Sequence, residues 1–406
     1  MKSAYKIFLN ALCIIVLSWF LPWLYSLSFP VVNRDPYLTY SPVANTMVLS
    51  YGKDSIFTIG ADGKRSSEYL TEDQRDSLLP HLHSTQLMAR DLMPDSVNGV
   101  ELSVANIRHN AWTFSSLPRD INKVSADVYM MMESTPARID LEDPKEVFRL
   151  DGKVEFVDIA TNKVNTVRSS RFNDVFIDRG FEYPVKALMA NVTSRKQYDE
   201  GYLMIDNKGD IFHLKQMAGR PYMVKVNKPD SIVAAHPFVM ENIDHRELGL
   251  ISDENHNLYA LEREGYRLVH LPIGKVDPEK EKIFISKNIF NWIVKISDSE
   301  GARWIVLDSK DYSPVGRFEI TYPVTPQAVI AGYIFPFSLS FTATTDCFAY
   351  PRLGSFSWHA LALNLLLGLI LLYVIRRQSV TEKSLKFAIT LIFGIFAFIP
   401  FIIIRH

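Results

Sequence analysis

The sequence predicts a mostly β protein held at a membrane by one helix near its N-terminus and two near its C-terminus. Three observations support this: charge-free apolar runs at both ends, a mildly acidic body between them, and hairpin patterns that recur in that body. The overall composition, 48% hydrophobic and 22% charged, conceals this division because the hydrophobic residues are concentrated at the two ends.

The first apolar run, residues 7–29, carries no charged residue over 23 positions. A helix of this length spans the ~30 Å hydrocarbon core of a bilayer. Lys2 and Lys6 precede it, and Ser26 and Ser28 form a small-x-small pattern. That pattern keeps a cleaved signal peptide open as an alternative, although its apolar region usually runs only about 7–15 residues. We expect residues 1–30 to be a retained transmembrane anchor, and in either case the following residues leave the cytoplasm.

Two further spans are predicted at residues 356–375 and 387–404. The loop between them, 376–386, contains Arg376, Arg377, Lys383 and Lys386 but only one acidic residue. Short loops rich in Lys and Arg stay in the cytoplasm. We therefore expect a cytoplasmic loop at 376–386 and an extracytoplasmic body at residues 31–355. No Asp, Glu, Lys or Arg lies within the three spans, which argues against an ion or proton pathway.

A candidate helix-contact stripe lies on the second span. Ala360, Asn364 and Gly368 recur every four residues and so share one helix face. Small and amide residues on one face are typical of helix contacts within lipid. Two interpretations stay open: packing against the chain's own first or third helix, or docking onto another membrane protein.

The body contains three similar segments, 203–214, 249–261 and 294–307, each an apolar strand, a polar turn and a second apolar strand. Ile205, Ile251 and Ile296 occupy equivalent positions, 46 and 45 residues apart. Weaker relatives are found at 48–59, 147–159 and 104–114. This spacing suits the four-stranded blade of a β-propeller. We predict a propeller-like domain of six or seven blades over residues 31–355, with a pair of β-sandwiches as the alternative.

A helical insertion is predicted at about residues 71–93. Thr71 and Gln74 form a capping box, Glu72 and Asp73 suit a first helical turn, and Pro80 interrupts the helix. We expect this insertion either to cover a blade edge or to bind a partner.

The motif search predicts no catalytic, cofactor-binding or metal-ligating residue. The sequence has no P-loop, no G-x-S-x-G and no H-E-x-x-H. Ser50-Tyr51-Gly52-Lys53 matches S-x-x-K, but its companion motifs are absent. Residues 31–355 contain 37 basic and 44 acidic residues, a net charge of −7, which argues against nucleic-acid binding.

Residues 130–158 (MMMESTPARIDLEDPKEVFRLDGKVEFVD) and 92–102 (LMPDSVNGVEL), together with the anchor–body–two-helix layout, resemble an uncharacterised family of bacterial membrane proteins. Its members tend to be encoded beside ABC-type transport components. The resemblance implies a multi-pass inner-membrane protein with a periplasmic body and a transport-associated role, and it transfers no active-site residue.

The favoured function is therefore a non-enzymatic accessory subunit of an inner-membrane complex, with an integral membrane partner. The resemblance implies that this partner is an ABC-type permease. A ligand-binding propeller without a complex and a periplasmic hydrolase remain as alternatives, because propellers can assemble catalytic groups at the channel mouth from separate blades.

Overall fold

The computed structural model describes residues 2–52, 55–60, 63–135 and 141–404. The chain divides into two compact units, a β-rich unit over Asp35–Ile320 and a helical unit formed by Met1–Arg34 and Thr321–His406. The predicted β-rich domain, 31–355, therefore extends beyond the unit observed. Residues 321–355 belong with the apolar helices, because they contain a short charge-free helix and a small separate hairpin.

The described residues contain ten α-helices. They are α1 Lys2–Ser28, α2 Glu72–Leu78, α3 Ser84–Ala89, α4 Val104–His109, α5 Pro118–Ile121, α6 Thr166–Asp178, α7 Pro326–Ile334, α8 Ala360–Val374, α9 Val380–Phe393 and α10 Ile395–Ile403.

The strands of the described residues, in chain order, are β1 Tyr37–Ser41, β2 Thr46–Ser50, β3 Ile56–Ile59, β4 Ser96–Val97, β5 Val100–Glu101, β6 Trp112–Ser116, β7 Tyr129–Met130, β8 Glu146–Leu150, β9 Val154–Asp158, β10 Ala187–Met189, β11 Tyr202–Ile205, β12 Ile211–Met217, β13 Arg220–Lys225, β14 Ala234–Val239, β15 Glu247–Asp253, β16 Leu258–Glu262, β17 Leu268–His270, β18 Lys282–Lys287, β19 Asn291–Ser297, β20 Gly301–Asp308, β21 Pro314–Thr321, β22 Ser338–Ser340 and β23 Arg352–Gly354.

The β-rich unit is built from antiparallel sheets of neighbouring strands. Two have three strands, β1–β3 and β7–β9, and two have four, β10–β13 and β14–β17. A five-stranded sheet runs β21–β20–β19–β18–β6, so β6 pairs with a strand that follows it by more than 160 residues. The described residues thus form five sheets of three or more strands, against six or seven predicted blades.

The repeat pattern located most of the hairpins correctly. The three strong segments form β11–β12, β15–β16 and β19–β20, and two weaker ones form β2–β3 and β8–β9. The segment 104–114 is not a hairpin. It forms α4 followed by β6, because the Ser103 hydroxyl accepts a hydrogen bond from the Asn106 amide and so caps a helix.

One long helix of the β-rich unit was not predicted. The side chain of Asn165 caps α6, which buries Phe172 and Phe176. Phe172 packs at 4.6 Å from Phe156 of β9, and Phe176 packs at 4.9 Å from Phe181. The i,i+4 pair of phenylalanines behind an Asn cap was the available signal.

The predicted insertion contains two short helices, α2 and α3. The capping box at Thr71 and Gln74 is present, and the helix is interrupted around Pro80. The buried carboxylate of Asp76 accepts hydrogen bonds from Arg75 and Arg90. This pairing ties the end of α3 to α2.

His81 provides a pH-dependent element beside this pair of helices. Its ring is buried, packs edge-on against Phe290 at 5.2 Å and makes no hydrogen bond within the described residues. Burial lowers the pKa of His81 from 6.5 to about 4. The unfolded chain therefore binds this proton at a higher pH than the folded chain does, so stability is lost as the pH falls from about 6.5 towards 4.

We expect His81→Leu to reduce the loss of thermal stability between pH 7 and pH 5, because leucine keeps the burial and removes the proton site. Thermal melts of the full chain at both pH values measure this effect. His270→Leu is the matched control, since His270 is exposed. Equal loss of melting temperature in the wild type and in the His81 variant would contradict the assignment.

The helical unit contains one helix long and apolar enough to cross a membrane, among the residues described. This is Tyr5–Ser28 within α1, 24 residues of mean hydropathy 2.2, and a signal sequence would meet the same criteria. α8 is apolar but has only 15 residues. The third predicted span, 387–404, is interrupted: α9 begins within the predicted 376–386 loop and ends at Phe393, and α10 follows Gly394, whose φ is +54°.

Candidate functional site

A groove of about 760 Å³ lies in the helical unit between the C-terminal half of α1, helix α7 and the hairpin β22–β23. We call it the aromatic groove. Its volume falls within the range of about 300–1,000 Å³ that is common for ligand pockets. Aromatic rings dominate its lining, with Trp19, Trp23 and Tyr25 from α1 and Phe335, Phe337 and Phe341 from the opposite side.

The α1 wall is set by helical periodicity. Trp19, Trp23 and Ser26 are spaced four and three residues apart, so they lie on one face of α1. The two indoles stack at 6.3 Å, and Trp19 meets Phe341 edge-on at 6.1 Å. The Tyr25 hydroxyl donates a hydrogen bond of 2.9 Å to the Gln327 carbonyl and thereby joins α1 to α7.

The side of the groove formed by α7 has mostly small side chains, which leave space in the groove. The Thr325 hydroxyl caps α7 by accepting a hydrogen bond from Ala328 N, and Pro326 occupies its first turn. Ala328, Ala331 and Gly332 then face the groove. These residues leave the space between α1 and α7 unfilled.

The groove offers hydrogen bonds but no charge. None of its twenty lining residues is Asp, Glu, Lys, Arg, His or Cys, and five contribute hydroxyl groups of Ser or Thr: Ser26, Ser338, Ser340, Thr342 and Ser355. Such a lining has no general base, no activated nucleophile and no set of metal ligands. The groove is therefore suited to holding an apolar molecule and unsuited to acid–base chemistry.

The structure brings the three residues of the predicted helix-contact stripe together inside the helical unit. Ala360 and Asn364 are fully buried, and Asn364 Nδ2 donates a hydrogen bond of 2.9 Å to the Leu391 carbonyl of α9. A Cβ on Gly368 would lie 2.7 Å from the Phe387 ring. The chain's own α9 thus covers Asn364 and Gly368 of the stripe, which leaves other faces of the helical unit for any partner.

A buried charged cluster in the β-rich unit is a second candidate, and the sequence did not predict it. Lys287 forms ion pairs with Asp244 and Glu247. The single Tyr312 hydroxyl hydrogen is shared between two carboxylates, with the oxygen 3.1 Å from Glu247 and 3.2 Å from Glu262. The signal was a set of charged residues, such as Glu247 and Lys287, at the ends of otherwise apolar strands.

Burial raises the pKa of Glu247, although the nearby Lys287 opposes this shift. A carboxyl group with a raised pKa is a common feature of catalytic sites. The Glu247 side chain, however, is completely enclosed, and the charged atoms around it pair with one another. This cluster has the features of a structural network rather than of a substrate site.

The described residues contain no group of three or more His, Cys, Asp or Glu side chains that could hold a metal ion. The S-x-x-K match begins at Ser50 in β2, and its Lys53 lies outside the described residues. The groove therefore remains the better-formed candidate for ligand binding.

Solved structures similar to this chain include several β-propellers. The Dos1 propeller is 11% identical, with a TM-score of 0.26, and the match covers 72% of this chain and 63% of that one. The WD40 domain of SCAP from fission yeast is 6% identical, with a TM-score of 0.28, and coverage is 77% and 66%. PorZ, a surface component of the type-IX secretion system of Porphyromonas gingivalis, is 9% identical, with a TM-score of 0.21.

The PorZ match covers 70% of this chain but only 27% of PorZ. Because all these TM-scores are far below 0.5, the similarities carry no argument about function. No curated protein matches the sequence significantly. A family model described as a domain of unknown function (DUF4857) matches residues 37–307, which is most of the β-rich unit.

Proposed function

The chain belongs to the family defined by this domain of unknown function, and from that premise we propose that it is a membrane-anchored, non-enzymatic subunit of an inner-membrane complex. In this proposal the β-rich unit lies on the periplasmic side and acts as a binding domain. The helical unit attaches it to an integral membrane partner, for which the sequence resemblance favours an ABC-type permease.

The observation that carries this proposal is the apolar surface of α1. The chain buries only 6% of the most apolar window of this helix. A helix that is apolar and uncovered in its own chain is normally covered by lipid or by another protein. A bilayer would cover the 24 residues Tyr5–Ser28 of α1, since this length is sufficient to span the hydrocarbon core of about 30 Å.

α8 offers a second uncovered surface. Leu366 and Ile370 each lie two positions beyond a residue of the buried stripe, Asn364 and Gly368, so they point to the opposite side of α8. They are 53% and 42% exposed. This face is the site that we propose for contact with the membrane partner, because α9 already occupies the other side.

The groove and the charged cluster both favour binding over catalysis. The groove lacks acid–base groups, and the charged cluster is closed to a substrate. The alternative of a periplasmic hydrolase therefore has no described set of residues that supports it. A ligand-binding protein that works without a complex remains the second candidate, and the aromatic groove is the feature that favours it.

Purification of the tagged full chain in a mild detergent, followed by quantitative mass spectrometry, tests the proposal. We expect one integral membrane partner in near-constant ratio to the chain. Recovery of the chain without any membrane partner, in detergent and in polymer-bounded bilayer discs alike, would contradict the proposed function.

The double substitution Leu366→Ala with Ile370→Ala should lower the recovery of the partner several-fold, because it removes packing atoms from the exposed face of α8. The yield and melting temperature of the chain itself should stay unchanged. Leu385→Ala on α9 is the control, since Leu385 is also exposed, at 60%, but lies on another helix. Equal recovery of the membrane partner with both variants would show that the partner does not contact this face of α8.

A further inference from the structure

We propose that the aromatic groove is a binding site for one acyl chain of a membrane glycerophospholipid, with the ester region of the lipid at its serine and threonine hydroxyls. This inference rests on the membrane location in the proposed function and is independent of the permease partner. It names the class of ligand that the helical unit takes.

The groove is continuous with a surface that lipid would cover. One wall is the C-terminal half of α1, and Trp19 and Trp23 in that wall are 39% and 48% exposed. Tryptophan and tyrosine are enriched where helices leave the bilayer, at the level of the lipid headgroups. An acyl chain would therefore enter a groove at this level directly from the adjacent leaflet, without passing through water.

Because the lining of the groove carries no charge, the hydrocarbon chain of the lipid enters it more favourably than the charged headgroup does. A phosphate or carboxylate inside the groove would have no cation to pair with and would lose its hydration, which is costly. A hydrocarbon chain needs no polar partner and makes favourable contacts with aromatic rings. The charged headgroup is therefore expected to stay outside the groove.

Hydroxyl groups of the groove orient the bound lipid. Ser340 and Thr342 lie on the hairpin side of the groove, whereas the Ser26 hydroxyl on the α1 side already donates its hydrogen bond to the Trp23 carbonyl. Serine and threonine hydroxyls donate hydrogen bonds to carbonyl oxygens, and the ester carbonyls of a glycerophospholipid are such acceptors. Because bilayer tails are already apolar, affinity for this site must come from shape and these hydrogen bonds rather than from the hydrophobic effect.

The experiment uses the full chain reconstituted in vesicles that contain phosphatidylethanolamine with a photoactivatable diazirine in one acyl chain. After illumination, labelled peptides are mapped by mass spectrometry. We expect label to concentrate on residues 327–342 and on the C-terminal part of α1. Even labelling along α1, α8 and α10 would show ordinary contact with lipid and would overturn the proposal.

Ala331→Trp is the decisive variant, because a bulky ring at this lining position would project into the groove and narrow it at the α7 wall. We expect label in the groove peptides to fall about tenfold, which corresponds to the loss of a modest binding free energy. Val329→Trp is the matched control on the exposed side of α7. Ala328→Phe, measured in parallel, keeps the test valid if the first variant folds poorly.

Unchanged labelling in folded Ala331→Trp or Ala328→Phe would overturn the proposal. Groove peptides that become labelled only after a protein partner is removed would overturn it as well, because the natural occupant would then be a protein segment. The result is separable from that of the co-purification test. If the chain purifies without a membrane partner but its groove peptides are still labelled specifically, the accessory-subunit function is contradicted and the lipid site is supported.

Discussion

Replacing Lys287 with methionine should destabilise the β-rich unit by about 3–5 kcal/mol, because it leaves the buried carboxylate of Asp244 without its cation and leaves Glu247 with the more distant Arg246, at 3.6 Å. The Lys287 side chain is 3% exposed and pairs with Asp244 and with Glu247, whose side chain is fully buried. Methionine preserves most of the side-chain volume, so the loss of stability measures the effect of the missing charge rather than of altered packing. Thermal unfolding of the full chain at neutral pH measures the effect.

The matched control for this prediction is Lys280→Met. Lys280 also pairs with a carboxylate, that of Asp277, but its side chain is 80% exposed. An exposed pair contributes about 0–1 kcal/mol, so this variant should melt close to the wild type. Equal melting temperatures for the two variants would show that the buried pairing of Lys287 contributes no more to stability than an exposed ion pair, which contradicts the prediction.

Gly394→Ala is expected to disrupt the helical unit. Gly394 separates α9 from α10 at φ +54°, where a side chain is strained. A Cβ there would lie 2.1 Å from Asn364 Oδ1, well inside van der Waals contact. We expect a large fall in the monodisperse fraction on size-exclusion chromatography in detergent, together with a lower melting temperature.

Two comparisons decide the cause of this effect. Combining Gly394→Ala with Asn364→Ala should recover part of the loss, because the clash disappears while the backbone strain remains. Ile392→Ala changes an exposed residue of α9 and should have little effect. Wild-type behaviour of Gly394→Ala would mean that the interruption between α9 and α10 does not depend on this glycine.

Local patterns were sufficient to predict five hairpins and the capping box of α2, but not the caps of α4 and α6. Ile205, Ile251 and Ile296 lie in strands of three successive sheets, and Thr71 caps α2 through the capping box. These features depend on residues close together in the chain, and their side chains alternate or cap by simple rules.

The remaining features depend on contacts between distant residues. The pairing of β6 with β18 joins Trp112 to Lys287, and no local pattern links them. The end of the β-rich unit at Ile320 was missed because residues 321–355 also contain short strand-like runs. The groove was missed because its small residues, such as Ala331 and Gly332, gain meaning only beside the tryptophans of α1.

The central claim is that the helical unit anchors the chain in the inner membrane with the β-rich unit on the periplasmic side. Two single-cysteine chains test it, Lys208→Cys and Lys383→Cys, in a background with Cys13→Ala and Cys347→Ser. Lys208 lies at the exposed turn between β11 and β12, and Lys383 lies in the first turn of α9, within the basic segment 376–386.

Labelling of spheroplasts with a membrane-impermeant maleimide is the most direct measurement. Lys208→Cys should react in intact spheroplasts, whereas Lys383→Cys should react only after the membrane is permeabilised. Reaction of both cysteines from the same side, or protection of Lys208→Cys until permeabilisation, would contradict the proposed arrangement.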